Sequence, residues 1–143
     1  SKDVLCVFSG PNAYISASWY SKPSTGSTWN YISVHMNGEL DFFSGEKLVD
    51  LMRDLTLHFE EGNVDSPTFY QNLPEDFLQH MMPQIIGFKL KAKSVKNVFK
   101  LSQNRDKESY LNIIKKLKAK NGFDVLVAEE MEKRIAELFP SNK

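Results

Sequence analysis

A chain of 143 residues, 41% hydrophobic and 25% charged, can bury one real core and is too apolar for a disordered segment. Its net charge is zero, which argues against a dedicated DNA-reading domain with its usual positive excess. No apolar run approaches the roughly 18 residues of a membrane helix, so no membrane partner is expected. The lone Cys6 excludes an internal disulfide framework, fits a reducing, cytoplasmic setting, and reads as a small buried hydrophobe between Leu and Val.

In chain order, Val4–Phe8 and Ala13–Ser16 read as strands separated by a turn at Ser9-Gly-Pro-Asn12. Residues 22–27 form a loop by composition. Trp29–Met36 is a long strand, and Asn37-Gly38 is a strong hairpin signal that predicts Glu39–Phe43 returning antiparallel. Ser44 is the expected N-cap of a helix reaching Phe59, with Leu48, Leu51, Met52, Leu55 and Phe59 as one buried stripe. Irregular chain follows to Pro74, and then a short helix over Glu75–Met81. From Ile85 to Leu101 the pattern is one long strand or a bent pair. There Phe88, Leu90 and Ala92 alternate with Lys89, Lys91 and Lys93, which predicts one buried and one charged face. Two helices close the chain. Asp106 caps the first, Tyr110, Ile113, Ile114 and Leu117 point inward, and Gly122 ends it. Asp124 starts the second, with Val127, Met131, Ile135 and Leu138 on its stripe.

Charge is unevenly spread. Residues 1–85 hold 4 Lys/Arg against 11 Asp/Glu, and residues 86–120 hold 11 against 2. The basic third could meet phosphate, an acidic patch of a second subunit, or DNA, directly or through another protein. The row Lys89, Lys91, Lys93, Lys96 is more simply a solvated strand face that deters edge pairing.

Two constellations carry chemistry. The first holds both tryptophans of the chain, Trp19 and Trp29, together with Tyr14, Tyr20 and Tyr31, interleaved with Ser16, Ser18, Ser21, Thr28 and Asn30. Flat apolar faces beside donors and acceptors suit a heteroaromatic ligand or a partner surface, although a barrel core is the plainer reading. The second is Lys100-Leu-Ser-Gln-Asn-Arg105 ahead of a helix. It reads either as a capped strand-to-helix turn, with Asn104 and Asp106 on the free amides, or as an anion site where helix amides and two cations converge. His35, His58 and His80 show no ligand spacing, so neither a metal site nor a catalytic residue is assigned.

These blocks, Pro11-x-Ala-Tyr-Ile-Ser-x-Ser-Trp-Tyr20, Thr28-Trp-Asn-Tyr31 and Lys100–Arg105, resemble the PaiB-type FMN-binding negative transcriptional regulators. That family is related to pyridoxamine 5'-phosphate oxidase. The resemblance implies an α+β, mainly β fold: an FMN-binding split β-barrel over residues 1–143, with flanking helices and a C-terminal helical pair at 106–139 packed on the barrel. It implies FMN as cofactor and a homodimer with flavin sites at the subunit interface. Carried over residue by residue, it implies cofactor contacts from Ser16, Ser18, Trp19, Tyr20, Trp29, Asn30, Tyr31, Lys100, Gln103, Asn104 and Arg105. Members of the family carry further strands ahead of the position of Ser1. The chain therefore reads as N-terminally truncated, with FMN binding weak or absent if it begins there. Repression is the implied role. The alternatives are a flavin-dependent oxidoreductase and a cofactor-free dimeric domain.

Overall fold

The computed structural model describes residues 2–22 and 26–140. The expected loop at 22–27 lies in part outside the described residues. Three strands, β1 (Lys2–Ile15), β2 (Thr28–Phe43) and β3 (Gly87–Lys100), form one antiparallel sheet in the order β1-β2-β3. Helices α1 (Glu46–Phe59) and α2 (Glu75–Met81) stand between β2 and β3, and α3 (Lys107–Lys118), α4 (Phe123–Glu132) and α5 (Ile135–Leu138) follow. The fold class is mixed α+β, as the sequence predicts. The chain clusters as two compact units, one of residues 1–5 and 37–93, the other of 6–36 and 94–143.

Two expected turns are absent. β2 runs through Asn37-Gly38 without reversing, so the hairpin is corrected to a single strand of 16 residues. The glycine serves close approach instead of a turn. A Cβ on Gly38 would sit 2.3 Å from the Lys91 carbonyl oxygen of β3, so only glycine lets the two backbones meet there. β1 likewise runs straight through Ser9–Asn12. Pro11 is tolerated because β1 is an edge strand, where a missing N–H need not break a ladder.

In the first unit, α1 begins one residue later than Ser44 suggests. Its N-cap is Gly45, at φ +64°, a left-handed value that glycine adopts freely, and no side chain caps it. The expected buried stripe is also corrected. Leu48 is buried, but Leu51 and Leu55 are exposed, and Phe59 is 73% exposed. The periodicity made the helix and gave it an apolar face, but that face is covered at Leu48 and left open at Leu51, Leu55 and Phe59. The same holds on β3, where Phe88 and Ala92 are exposed and Leu90 is half-buried. Lys93 is paired with Asp3 and Glu39, whose carboxylates push its ammonium up to about 12.

The main core lies in the second unit. Ala13 and Ile15 of β1, Tyr20, Leu101, then Tyr110, Ile113, Ile114 and Leu117 of α3, and Val127, Ala128 and Met131 of α4 pack as one cluster. The first predicted C-terminal stripe is found there whole; the second is split, with Val127 and Met131 buried on α4 and Ile135 and Leu138 partly buried on the separate α5, so the expected single helix is corrected to two. α3 stops at Lys118, and Gly122 opens α4 instead of closing α3. The Tyr110 hydroxyl donates to the Met131 carbonyl at 3.0 Å, and burial pushes that phenol up to about 12. Cys6 is half-buried.

Gly38→Ala is expected to destabilise the fold by roughly 1–3 kcal/mol, because the added methyl meets backbone that must move. Urea unfolding followed by circular dichroism measures this. A midpoint equal to that of the wild type would show that β2 and β3 separate there without cost.

Candidate functional site

The turn from β3 to α3 is shaped by its own residues. The Arg105 amide donates to the Ser102 carbonyl at 3.0 Å. The Leu101 amide donates to Gln103 Oε1 at 2.8 Å, and Gln103 Nε2 reaches the Phe99 carbonyl. Ser102 has φ +62°, a left-handed conformation uncommon outside glycine, asparagine and aspartate. It is held by burial and by its hydroxyl, which donates to Asn30 Oδ1 at 3.0 Å. Asn30, fully buried on β2, donates in turn from Nδ2 to Met131 Sδ at 3.5 Å.

This turn and β2 enclose a recess of about 140 Å³ lined by Thr28, Asn30, Lys100, Ser102, Gln103, Asn104 and Arg105. Two cations stand on its wall. Lys100 Nζ donates to Thr28 Oγ1 at 2.8 Å and lies 5.9 Å from the centre of the Tyr31 ring. The Arg105 guanidinium stacks 3.9 Å from the Tyr20 ring centre. Tyr20 is 7% exposed, and its hydroxyl is buried without a hydrogen-bond partner among the described residues.

The N-terminus of α3 is occupied from within. Asp106 Oδ1 accepts from the Ser109 amide at 2.9 Å, and Oδ2 accepts from the Ser109 and Ser21 hydroxyls at 2.8 and 3.1 Å. The Ser109 amide and hydroxyl, followed by the Ser21 hydroxyl, hold the carboxyl below the usual aspartate range. Of the two residues expected on the free amides, Asp106 is the cap. Any anion in the recess therefore meets the Lys100 and Arg105 side chains and not the helix amide that Asp106 already fills.

Of the eleven residues expected at the site, Asn30, Lys100, Gln103, Asn104 and Arg105 line the recess. Tyr20 and Tyr31 reach it through the cations stacked on them. The rest lie elsewhere in the same unit. Ser16 and Ser18 bond each other, hydroxyl to hydroxyl, at 2.8 Å. Trp19 is half-buried, with Lys120 at 5.1 Å over its ring and its carbonyl bonded to Asn112. Trp29 is 53% exposed, adjacent to the buried Asn30 on a strand whose side chains alternate in direction, and packs edge-on against Tyr14 at 5.8 Å. Thr28 and Ser102 also line the recess and are not among the residues expected there from sequence. Both lie inside the quoted blocks, but nothing in the sequence shows which side of the pleat or turn they take.

The donor set fits one part of FMN. A phosphate offers only acceptors, and the recess presents an ammonium, a guanidinium and amide and hydroxyl groups. At 140 Å³ it holds a phosphate or a ring edge and not a whole flavin, since sites for drug-sized ligands need about 300 Å³ or more. The larger cavity of the first unit, about 490 Å³ between α1 and α2, is lined chiefly by Leu48, Val49, Leu78, Met82, Pro83 and Ile85. It offers no cation to a phosphate.

The match with known proteins specifies the family. Residues 1–94 match the family described as "Putative FMN-binding domain", and the chain belongs to that family. FMN is accordingly its cofactor. The chain is 37% identical over 137 residues to Protease synthase and sporulation protein PAI 2 of Bacillus subtilis, covering 94% of this chain and 64% of that protein. It is 27% identical to an uncharacterised protein of Aspergillus fumigatus, covering 86% of this chain and 56% of that one. It thus spans about half to two-thirds of the length of these curated relatives. The match to PAI 2 makes it a PaiB-like protein.

Asp106→Ala is expected to lower the melting temperature at neutral pH by removing the cap of α3. The sign of the pH dependence follows from the depressed carboxyl. Its contribution is present above the unfolded value near 3.8 and is lost as pH falls through the lower folded value. The gap between wild type and variant therefore narrows on acidification. Melting curves from pH 7 down to pH 2 that stayed parallel would contradict this.

Proposed function

We propose that this protein is an FMN-binding, PaiB-like negative transcriptional regulator that acts as a cytoplasmic homodimer built on a split β-barrel, with α3 to α5 packed on the barrel as a single domain. The observation that carries the reading is the recess, where Lys100 and Arg105 face Thr28 and Asn30 across a polar pocket. In this reading the phosphate enters the recess, and Tyr31 and Tyr20 border the path to the ring. FMN when bound supplies hydride or electron transfer; the chain's own residues bind and orient it. The regulatory role rests on likeness to PAI 2, named for protease synthesis and sporulation. The lysines of β3 are the surface where DNA contact would be sought.

FMN titrated against the protein is expected to quench on binding. Lys100→Met and Arg105→Met should each weaken binding about tenfold to a hundredfold, the loss of one charge-assisted contact of roughly 1.5–3 kcal/mol. Unchanged affinity in both variants would move the site elsewhere.

Dimerisation is supported by exposed apolar side chains in the second unit. Val7, Phe8, Tyr14, Trp29 and Val95 stand in solvent, more large apolar surface than a monomer ordinarily leaves uncovered. Sedimentation is expected to give a dimer at micromolar concentration, weakened by Trp29→Ser. A monomer at every concentration tested would exclude it.

A further inference from the structure

Asn30 is suited to hold the cationic turn in place more than to touch a ligand. It is fully buried, and both ends of its amide are engaged. On one side Oδ1 accepts from Ser102, and on the other Nδ2 donates to Met131 Sδ. Met131 is itself fixed on α4, because its carbonyl accepts from Tyr110 of α3. A string of buried polar groups thus runs from the α3–α4 pair through β2 to the turn that bears Lys100 and Arg105.

The Arg105–Ser102, Leu101–Gln103 and Gln103–Phe99 hydrogen bonds of the turn are local. They define its shape but not its position over β2. The bond from Ser102 to Asn30 does fix that position, as does the reach of Lys100 to Thr28. Ser102 is also the residue whose backbone is strained into the left-handed region. That conformation persists only where surrounding contacts hold it. Residues 100–105 lie outside the matched span of 1–94, whereas Asn30 lies inside it. The tie therefore joins the matched domain segment to a turn beyond it.

We infer that Asn30 is the positioning residue of the recess: through Ser102 it sets the separation of Lys100 and Arg105 from β2, and through Met131 it makes that separation depend on the packing of α4. The inference rests on the recess as the FMN site. Ligand affinity then responds to Met131, a core side chain that lines no part of the recess. Cationic groups moved even an ångström from their acceptors lose much of their effect.

FMN titration of four proteins tests this, with hydrogen exchange at the Arg105 amide as a second reading on the ligand-free chain. Ser102→Gly removes the hydroxyl but suits the left-handed backbone, and is expected to weaken FMN about tenfold. Met131→Leu keeps the volume and removes the sulfur acceptor, and is expected to weaken FMN about threefold, with faster Arg105 exchange. Met131 lines no part of the recess, so a merely structural role would leave both readings at the wild-type value in a folded variant. Lys100→Met is the control on the site. If it binds FMN like the wild type, the recess is not the site and the inference falls with it. If Lys100→Met weakens binding while Ser102→Gly and Met131→Leu do not, the site stands and the positioning role is overturned. Should Met131→Leu fail to fold, Met131→Ile, which also lacks the sulfur and lines no part of the recess, decides on the same criterion.

Discussion

The buried amide of Asn30 is the point on which the second unit is organised. A polar side chain without access to water must find partners inside the protein or leave its hydrogen bonds unmade, at a cost of order 1–3 kcal/mol. Here the partners come from two places distant in sequence, Ser102 and Met131. Satisfying one residue of the central strand therefore aligns the β3–α3 turn and the α4 helix at once. An apolar residue of the same size would fill the space without choosing between neighbours, whereas the amide selects a hydroxyl on one side and a thioether on the other.

Around that tie the chemistry divides by burial. Behind it, Ile15, Leu101, Ile113, Leu117 and Val127 form a dry core whose hydrophobic burial holds the helices to the strands. In front of it, Lys100 and Arg105 stay partly in solvent, spread over tyrosine rings that limit their freedom. The acidic group nearest in sequence, Asp106, is bound to Ser109 and Ser21, so it serves the helix.

The first unit shows the opposite balance. Its helix α1 is well formed, yet much of the apolar face is open, and β3 carries apolar side chains in solvent. Good helix and strand patterns thus coexist with thin local burial.

Much of this was legible from residue order, because local rules are obeyed locally. The helices of residues 107–132 follow from 3.6-residue periodicity and from Asp106 as a cap, and α1 and α2 end where expected. The quoted blocks carried the family and the turn at 100–105. What the sequence left undecided were matters of who lies opposite whom. Asn37-Gly38 has the chemistry of a tight turn, but the Lys91 carbonyl at 2.3 Å from a would-be Cβ shows that backbone approach across the sheet is what makes glycine necessary there. The apolar stripe of α1 specifies a face and not a cover. Asn30 looks, in sequence, like one more polar edge beside Trp29 and Tyr31. Only the alternation of β2 in the folded sheet turns it inward to Ser102 and Met131 while its neighbours remain outside, because hydrogen bonds spanning 72 and 101 residues are set by the tertiary fold and leave no periodic mark on the chain.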